Sequence, residues 1–179
     1  MIPARYQKAE YEQVPEEIRA KFGQIKKTRR GLYIYGDVGT GKTHIAYAML
    51  KKWQEVAGYE AKFCNMPELV NEIRADFDRL PLDKSRIDER INDYNGLLFL
   101  DDVGAEKITD WVAEKFYLII NRRYSQLLPV IITSNLSIAE LAEKVGDRTA
   151  SRIVEMCDII FLEGKDRRVE NIIQTKVKI

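Results

Sequence analysis

Residues 36–43 read Gly36-Asp37-Val38-Gly39-Thr40-Gly41-Lys42-Thr43. The glycines let the backbone curl until successive N–H groups point into one hollow. Lys42 adds a full positive charge, and Thr43 adds a hydroxyl able to reach a divalent cation. The preceding run, Leu32-Tyr33-Ile34-Tyr35, reads as a buried strand. Beyond the loop, Ile45, Met49, Trp53 and Val56 recur at helical spacing, so a helix aims its positive N-terminal end at the same hollow. Strand, glycine cradle, lysine and helix together make a phosphate-binding loop in the context it requires.

The remaining pattern fits an α/β chain with a parallel sheet. Short apolar runs near 31–36, 60–64, 96–101, 129–133 and 158–162 predict five strands. Amphipathic stretches near 42–57, 66–78, 84–94, 109–126, 137–144 and 147–155 predict helices between them. Asn65 with Glu68, and Ser137 with Glu140, have the spacing of a capping box. Gly58 stands where a helix-ending glycine belongs. The segment from Arg79 to Asp83 reads as a loop between helices. A chain of 179 residues is expected to form one domain over 1–179, with residues 1–30 leading into the core. About seventeen residues follow the fifth strand, so no C-terminal helical lid is expected.

The net charge of +1 excludes a globally basic nucleic-acid binder, so any such contact needs a local patch or a pore. Cys64 and Cys157 lack metal-ligand spacing and read as reduced thiols of a cytoplasmic protein. Neither a signal peptide nor a membrane-spanning apolar stretch is legible.

The third apolar run, Leu97-Leu98-Phe99-Leu100, ends in Asp101-Asp102. Ligands of open parallel sheets lie off the carboxyl ends of strands, so this acid pair is expected beside the loop. Asp101 is placed to hold Mg²⁺ together with Thr43, and Asp102 to polarise an attacking water. Glu106 is a second candidate for the base. The fourth run leads into Thr133-Ser134-Asn135, where Asn135 is the candidate to sense the γ-phosphate or the water. Arg148 and Arg152 lie four apart, hence on one helical face, and could reach a neighbouring subunit's nucleotide as arginine fingers. Arg167 and Arg168 follow the last strand and could supply a further nucleotide contact. The basic run from Lys26 to Arg30 reads either as a phosphate contact or as a solvated face. His44, the only histidine, opens the helix after the loop and is grouped with it as a nucleotide contact. Trp53, Trp111, Phe116, Ile119 and Ile120 are expected in the core.

Taken in order, GDVGTGKTH, LLFLDDVGAE, VIITSN and GDRTASRI, with an arginine after the last strand, resemble the AAA+ ATPases of the bacterial replicative helicase loader family. That family is the DnaC/DnaI type, with IstB transposition helpers as close kin. The likeness runs from about Ile2 to Arg168. It implies a P-loop AAA+ core with a five-stranded parallel sheet between helices, again without a lid. It implies ATP or ADP with Mg²⁺ as ligands, the Arg5–Tyr6 region, with Tyr6 as the contact, near the adenine, Arg152 as the finger, Arg148 as the preceding arginine of that motif, and Arg167 as a second sensing arginine. It also implies a replicative helicase and single-stranded DNA as partners, and a homo-oligomer formed with nucleotide. Loaders of this kind carry an N-terminal domain that grips the helicase. This chain starts almost directly at the ATPase core, as part of a longer protein or as a short stand-alone member. The expected function is ATP hydrolysis, slow without partner or DNA, driving helicase loading at replication initiation. The alternatives are an IstB-like transposition helper on duplex DNA and a nucleotide-binding module that does not hydrolyse.

Overall fold

A computed structural model describes residues 2–56, 60–77, 91, 93–105 and 107–164. Five strands form one parallel sheet: β1 (Gly31–Tyr35), β2 (Ala61–Asn65), β3 (Leu97–Val103), β4 (Val130–Ser134) and β5 (Cys157–Phe161). Their order across the sheet is β2-β3-β4-β1-β5. Parallel neighbours need long crossovers, and helices supply them. The helices are α1 (Glu16–Thr28), α2 (Lys42–Glu55), α3 (Met66–Phe77), α4 (Asp110–Ser125), α5 (Ile138–Val145) and α6 (Asp147–Met156). None of the described helices is long and apolar enough to cross a membrane.

Alternation along the strands sends side chains to two separate cores. Leu32, Ile34, Leu97, Phe99 and Ile131 face α1 and α2, where Ile18, Phe22, Ile25, Ile45 and Met49 are buried with them. Tyr33, Leu98, Leu100, Val130 and Ile132 face the other layer, packed with Leu69, Ile73, Phe116, Ile120, Leu141 and Ile153. Both faces of the sheet are therefore covered, which is why the strands read as apolar runs and not as alternating patterns. All five strands match the apolar runs. β3, however, continues to Val103, so Asp101 and Asp102 lie inside the strand and not just past its end.

Helix α1 is not anticipated by the sequence pattern. Its first turn carries Glu16 and Glu17 and its last turn Lys26 and Lys27, charges that oppose the helix dipole at each end. Only Ile18, Phe22 and Ile25 face the core. It ends at Arg29, which takes the left-handed conformation with φ 59°. The residues ahead of α1 also pack inward. Ala9 and Val14 are buried, and Lys51 Nζ of α2 donates to the carbonyls of Gln7 and Ala9. Of the tryptophans expected in the core, Trp53 and Trp111 are only half-buried, whereas Phe116, Ile119 and Ile120 are fully so. The Ser137–Glu140 capping box forms in both directions. Asn65 accepts from the Glu68 N–H at 3.3 Å. Gly58 and the stretch expected as a helix over 84–94, apart from its last few residues, lie outside the described residues.

Two arginines tie the lower end of the sheet. Arg30 donates to the carbonyls of Glu155 and Cys157, each at 2.7 Å, and to Asp158 Oδ1 at 3.3 Å. Part of the basic run is thus spent on joining β1 to the α6–β5 turn. Arg123 is 2% exposed and donates to the carbonyls of Tyr94, Gly96 and Pro129. Burial pulls its pKa down to about 10. A guanidinium spans these three acceptors because its donors form a fixed fork. Arg123→Leu leaves all three carbonyls without this donor and is expected to cost about 3 kcal/mol. Arg123→Lys should cost nearly as much, since one ammonium does not reproduce the fork. Urea unfolding of both variants checks this; wild-type stability in either would show that the carbonyls find other donors.

Candidate nucleotide-binding site

The loop from Gly36 to Thr43 joins β1 to α2 at the carboxyl edge of the sheet. Gly39 and Gly41 have φ of 82° and 101°, a region that side-chain-bearing residues avoid, and the loop's curl depends on it. Thr40 is buried and its hydroxyl donates to the Asp37 carbonyl at 2.9 Å, closing the turn. Lys42 is 4% exposed, and its Nζ donates to the carbonyls of Gly36 and Asp37, each at 2.7 Å. Thr43 follows it in the first turn of α2.

These residues form one wall of a cleft of about 580 Å³. Val38, Gly39, Gly41, Lys42, Thr43 and His44 line that wall. Asp102, Ala105 and Asn135, from β3 and the segments after β3 and β4, line the cleft too, as do Arg5 and Tyr6 of the N-terminal segment. Gly36, Asp37 and Thr40 do not line the cleft themselves; they shape the loop. The His44 ring packs its Nε2 2.6 Å from Gln13 Oε1, so the histidine also joins α2 to the N-terminal segment. Tyr6 stacks on Tyr47 of α2 at 4.6 Å between ring centroids. Tyr47 stacks in turn on Phe63 of β2 at 4.1 Å. An aromatic column therefore runs from the cleft wall into the core.

The two aspartates have opposite surroundings. Asp101 is 2% exposed, while Asp102 is half-buried and faces the cleft. Asp102 has φ 57°, a left-handed backbone for a residue with a side chain. Such strain persists only where neighbours impose it, and it gathers at functional sites. Here the neighbour is Thr133 of β4. Its hydroxyl donates to Asp101 Oδ1 at 2.5 Å and accepts from the Asp102 N–H at 3.0 Å. The pairing of β3 with β4 shifts register between Leu100 and Val103, at this same place.

Burial pushes the Asp101 carboxyl up to about 6. Hydrogen bonds from Thr133, Thr43 and Asn65 act the other way, and the Asp102 charge adds to the rise. A dry carboxylate beside a hydroxyl is a donor set that fits a small hard cation. Among the described residues no three His, Cys, Asp or Glu side chains converge. A divalent ion here would complete its shell with phosphate oxygens and water, as magnesium commonly does. Thr133 and Asn65 are not among the site residues read from the sequence, where Asn65 figures only as a helix cap. Their signal is register: Asn65 pairs with Asp101 across β2 and β3, and Thr133 is a hydroxyl near the end of the next strand.

Arg148 and Arg152 do not line the cleft. Both guanidinium groups lie over the Tyr117 ring of α4, at 5.4 and 5.0 Å. They share one face, as their spacing requires, and that face is turned to another part of the surface. Glu106, Arg167 and Arg168 lie outside the described residues.

An open parallel sheet in this order, with a glycine cradle after β1, an acid pair in β3 and a polar end to β4, defines a P-loop protein of the AAA+ type. Comparison with known proteins makes the class specific. Residues 20–175 match the family described as IstB-like ATP binding protein, and the chain belongs to that family. The replicative helicase loader DnaI of Bacillus subtilis is 31% identical over 154 residues, covering 78% of this chain and 48% of DnaI. The ATP-binding protein of insertion sequence IS5376 from Geobacillus stearothermophilus is 29% identical over 147 residues, covering 79% of this chain and 56% of that protein. The chain thus spans about half the length of the curated relatives it matches. Among solved structures, the DnaC helicase loader superposes with a TM-score of 0.78 at 26% identity, over 90% of this chain and 100% of that one. DnaI superposes with a TM-score of 0.75 at 23% identity, over 94% and 95%, which bears on the fold alone.

The raised Asp101 pKa has a definite sign. Its native value, about 6, lies above the ordinary 3.8, so the folded state favours the protonated acid. That contribution is present below pH ~4 and is lost as pH rises through about 6. Asp101→Asn should therefore stabilise the nucleotide-free protein by about 2 kcal/mol near pH 8 and by almost nothing near pH 4. Denaturant melts at both pH values check this; an equal gain at both would mean that the acid is not held protonated by burial.

Proposed function

We propose that this chain is an ATP-hydrolysing helicase loader of DNA replication initiation. In this reading ATP gates its assembly into a homo-oligomer, and single-stranded DNA binds the assembled form. The observation that carries the reading is one cleft lined both by the phosphate loop and by Asp102, whose backbone N–H is held by Thr133. Hydrolysis needs both halves: a cradle for the polyphosphate and a placed acid for water.

The loop amides and Lys42 hold the β- and γ-phosphates, and Thr43 with Asp101 would hold Mg²⁺, which would neutralise charge on the phosphate oxygens. Asp102 accepts a hydrogen bond from a water and orients its lone pair toward the γ-phosphorus. The water oxygen bonds to phosphorus as the bond to the β–γ bridging oxygen breaks, leaving ADP and inorganic phosphate. Asn135, lining the same cleft, donates to the γ-phosphate or the water. Tyr6 and its aromatic column offer a flat, apolar side for the adenine. Arg152, with Arg148 beside it, reaches the nucleotide of an adjacent subunit, where a cation stabilises charge that builds in the transition state. An isolated subunit then holds only part of the catalytic set, and turnover without a neighbour is slow. The helicase as client is supported by likeness to the DnaC loader over that structure's whole length.

Lys42→Ala should weaken Mg·ATP binding about 10- to 100-fold, the effect of losing a charge-assisted contact. Wild-type protein should release phosphate faster with single-stranded DNA than alone, and should retain a replicative helicase on a column only with ATP. Phosphate release no faster than that of the Lys42→Ala variant, with DNA and helicase present, would remove the ATPase reading. Preference for duplex DNA with capture of a transposase would replace the loader by a transposition helper.

A further inference from the structure

Arg152 stands in an unusual electrostatic position. Among the described residues it makes no ion pair, although it is only half-exposed. Its Nη1 reaches the Arg148 carbonyl at a long 3.4 Å, and its Nε is shielded from solvent with no hydrogen-bond partner among the described residues. What holds the group is aromatic. The guanidinium lies 5.0 Å from the Tyr117 centroid and 5.5 Å from that of Tyr124. Both tyrosines project from α4, seven residues or about two turns apart. The Tyr124 ring is itself fixed, because its hydroxyl donates to Glu155 Oε2 at 2.5 Å. Glu155 lies three residues after Arg152 on α6, and Arg30 ties its carbonyl to the base of β1.

A carboxylate partner would neutralise a guanidinium and fix it at once. Two π faces fix it while leaving its charge and most of its donors uncommitted. We infer that Tyr117 and Tyr124 are positioning residues for Arg152: a shelf that orients a guanidinium engaged in no ion pair among the described residues, before a neighbouring subunit's nucleotide arrives. The inference rests on the reading of Arg152 as a finger acting between subunits. On this account α4 has a task besides packing. It keeps a long, flexible side chain from sampling other rotamers, so less freedom is lost when the arginine meets the phosphate. Arg148 shares the Tyr117 face and lies over its ring at 5.4 Å.

The test separates the shelf from the finger. DNA-stimulated phosphate release is measured for Arg152→Ala, Tyr117→Leu, Tyr117→Phe and Tyr124→Phe, with Mg·ATP affinity and melting temperature measured on each. Tyr117→Leu should lower kcat about 5- to 20-fold, the range that such contacts carry in a partly desolvated site, with KM for ATP unchanged. Tyr117→Phe keeps the face and should stay within about twofold of wild type. Mixing Tyr117→Leu with Lys42→Ala should restore activity, because the second variant lends an intact finger to the first variant's intact loop. If Arg152→Ala lowers kcat and Tyr117→Leu does not, the shelf is refuted while the finger stands. If Arg152→Ala leaves the stimulated rate unchanged, the finger reading fails and the shelf with it. Should Tyr117→Leu melt early, Tyr117→Met in the same mixture decides: rescue supports the shelf, and no rescue overturns it.

Discussion

One hydroxyl sets the geometry on which the cleft depends. Thr133 of β4 donates to the Asp101 carboxylate and accepts from the backbone of Asp102. This joins the two central strands at the point where their pairing slips out of step. It also holds Asp102 in a left-handed backbone. Two adjacent acids therefore meet two different dielectrics. Asp101 stays dry, with its proton held to about pH 6, and Asp102 turns to the wet side. An unforced extended strand would point the pair to opposite faces of the sheet.

The second organising feature lies on the other side of the loop. α2 begins in the phosphate cradle and carries Tyr47, His44 and Lys51 to the chain's N-terminal residues. Those residues pack against the helix that bears the cradle. They supply Tyr6 and Arg5 to the cleft, so the wall beside the loop is made of chain remote from it in sequence.

Much of this was readable from the residues alone. The strands and most of the helices were, because a sheet covered on both faces demands apolar runs, and Leu97-Leu98-Phe99-Leu100 has no other use. The glycine loop, the acid pair and the polar end of β4 were legible for the same reason: each chemistry needs particular residue types at fixed spacing. Helix α1 was not, since three buried side chains among charges give a weak period and Gly23 interrupts it. Thr133 was missed because its role is set by the neighbouring strand, through a register that no local pattern encodes. The same holds for Tyr117 and Tyr124. On α4 they look like ordinary amphipathic positions, and only the placement of α6 brings arginines over them.

The ammonium of Lys42 already donates to two carbonyls of its own loop. The cation is therefore aimed by oxygens of its own loop before any polyphosphate arrives, and little side-chain freedom remains to be lost on association. The charge that attracts the guest also braces the turn that receives it, so removing the lysine takes away a strut as well as a charge.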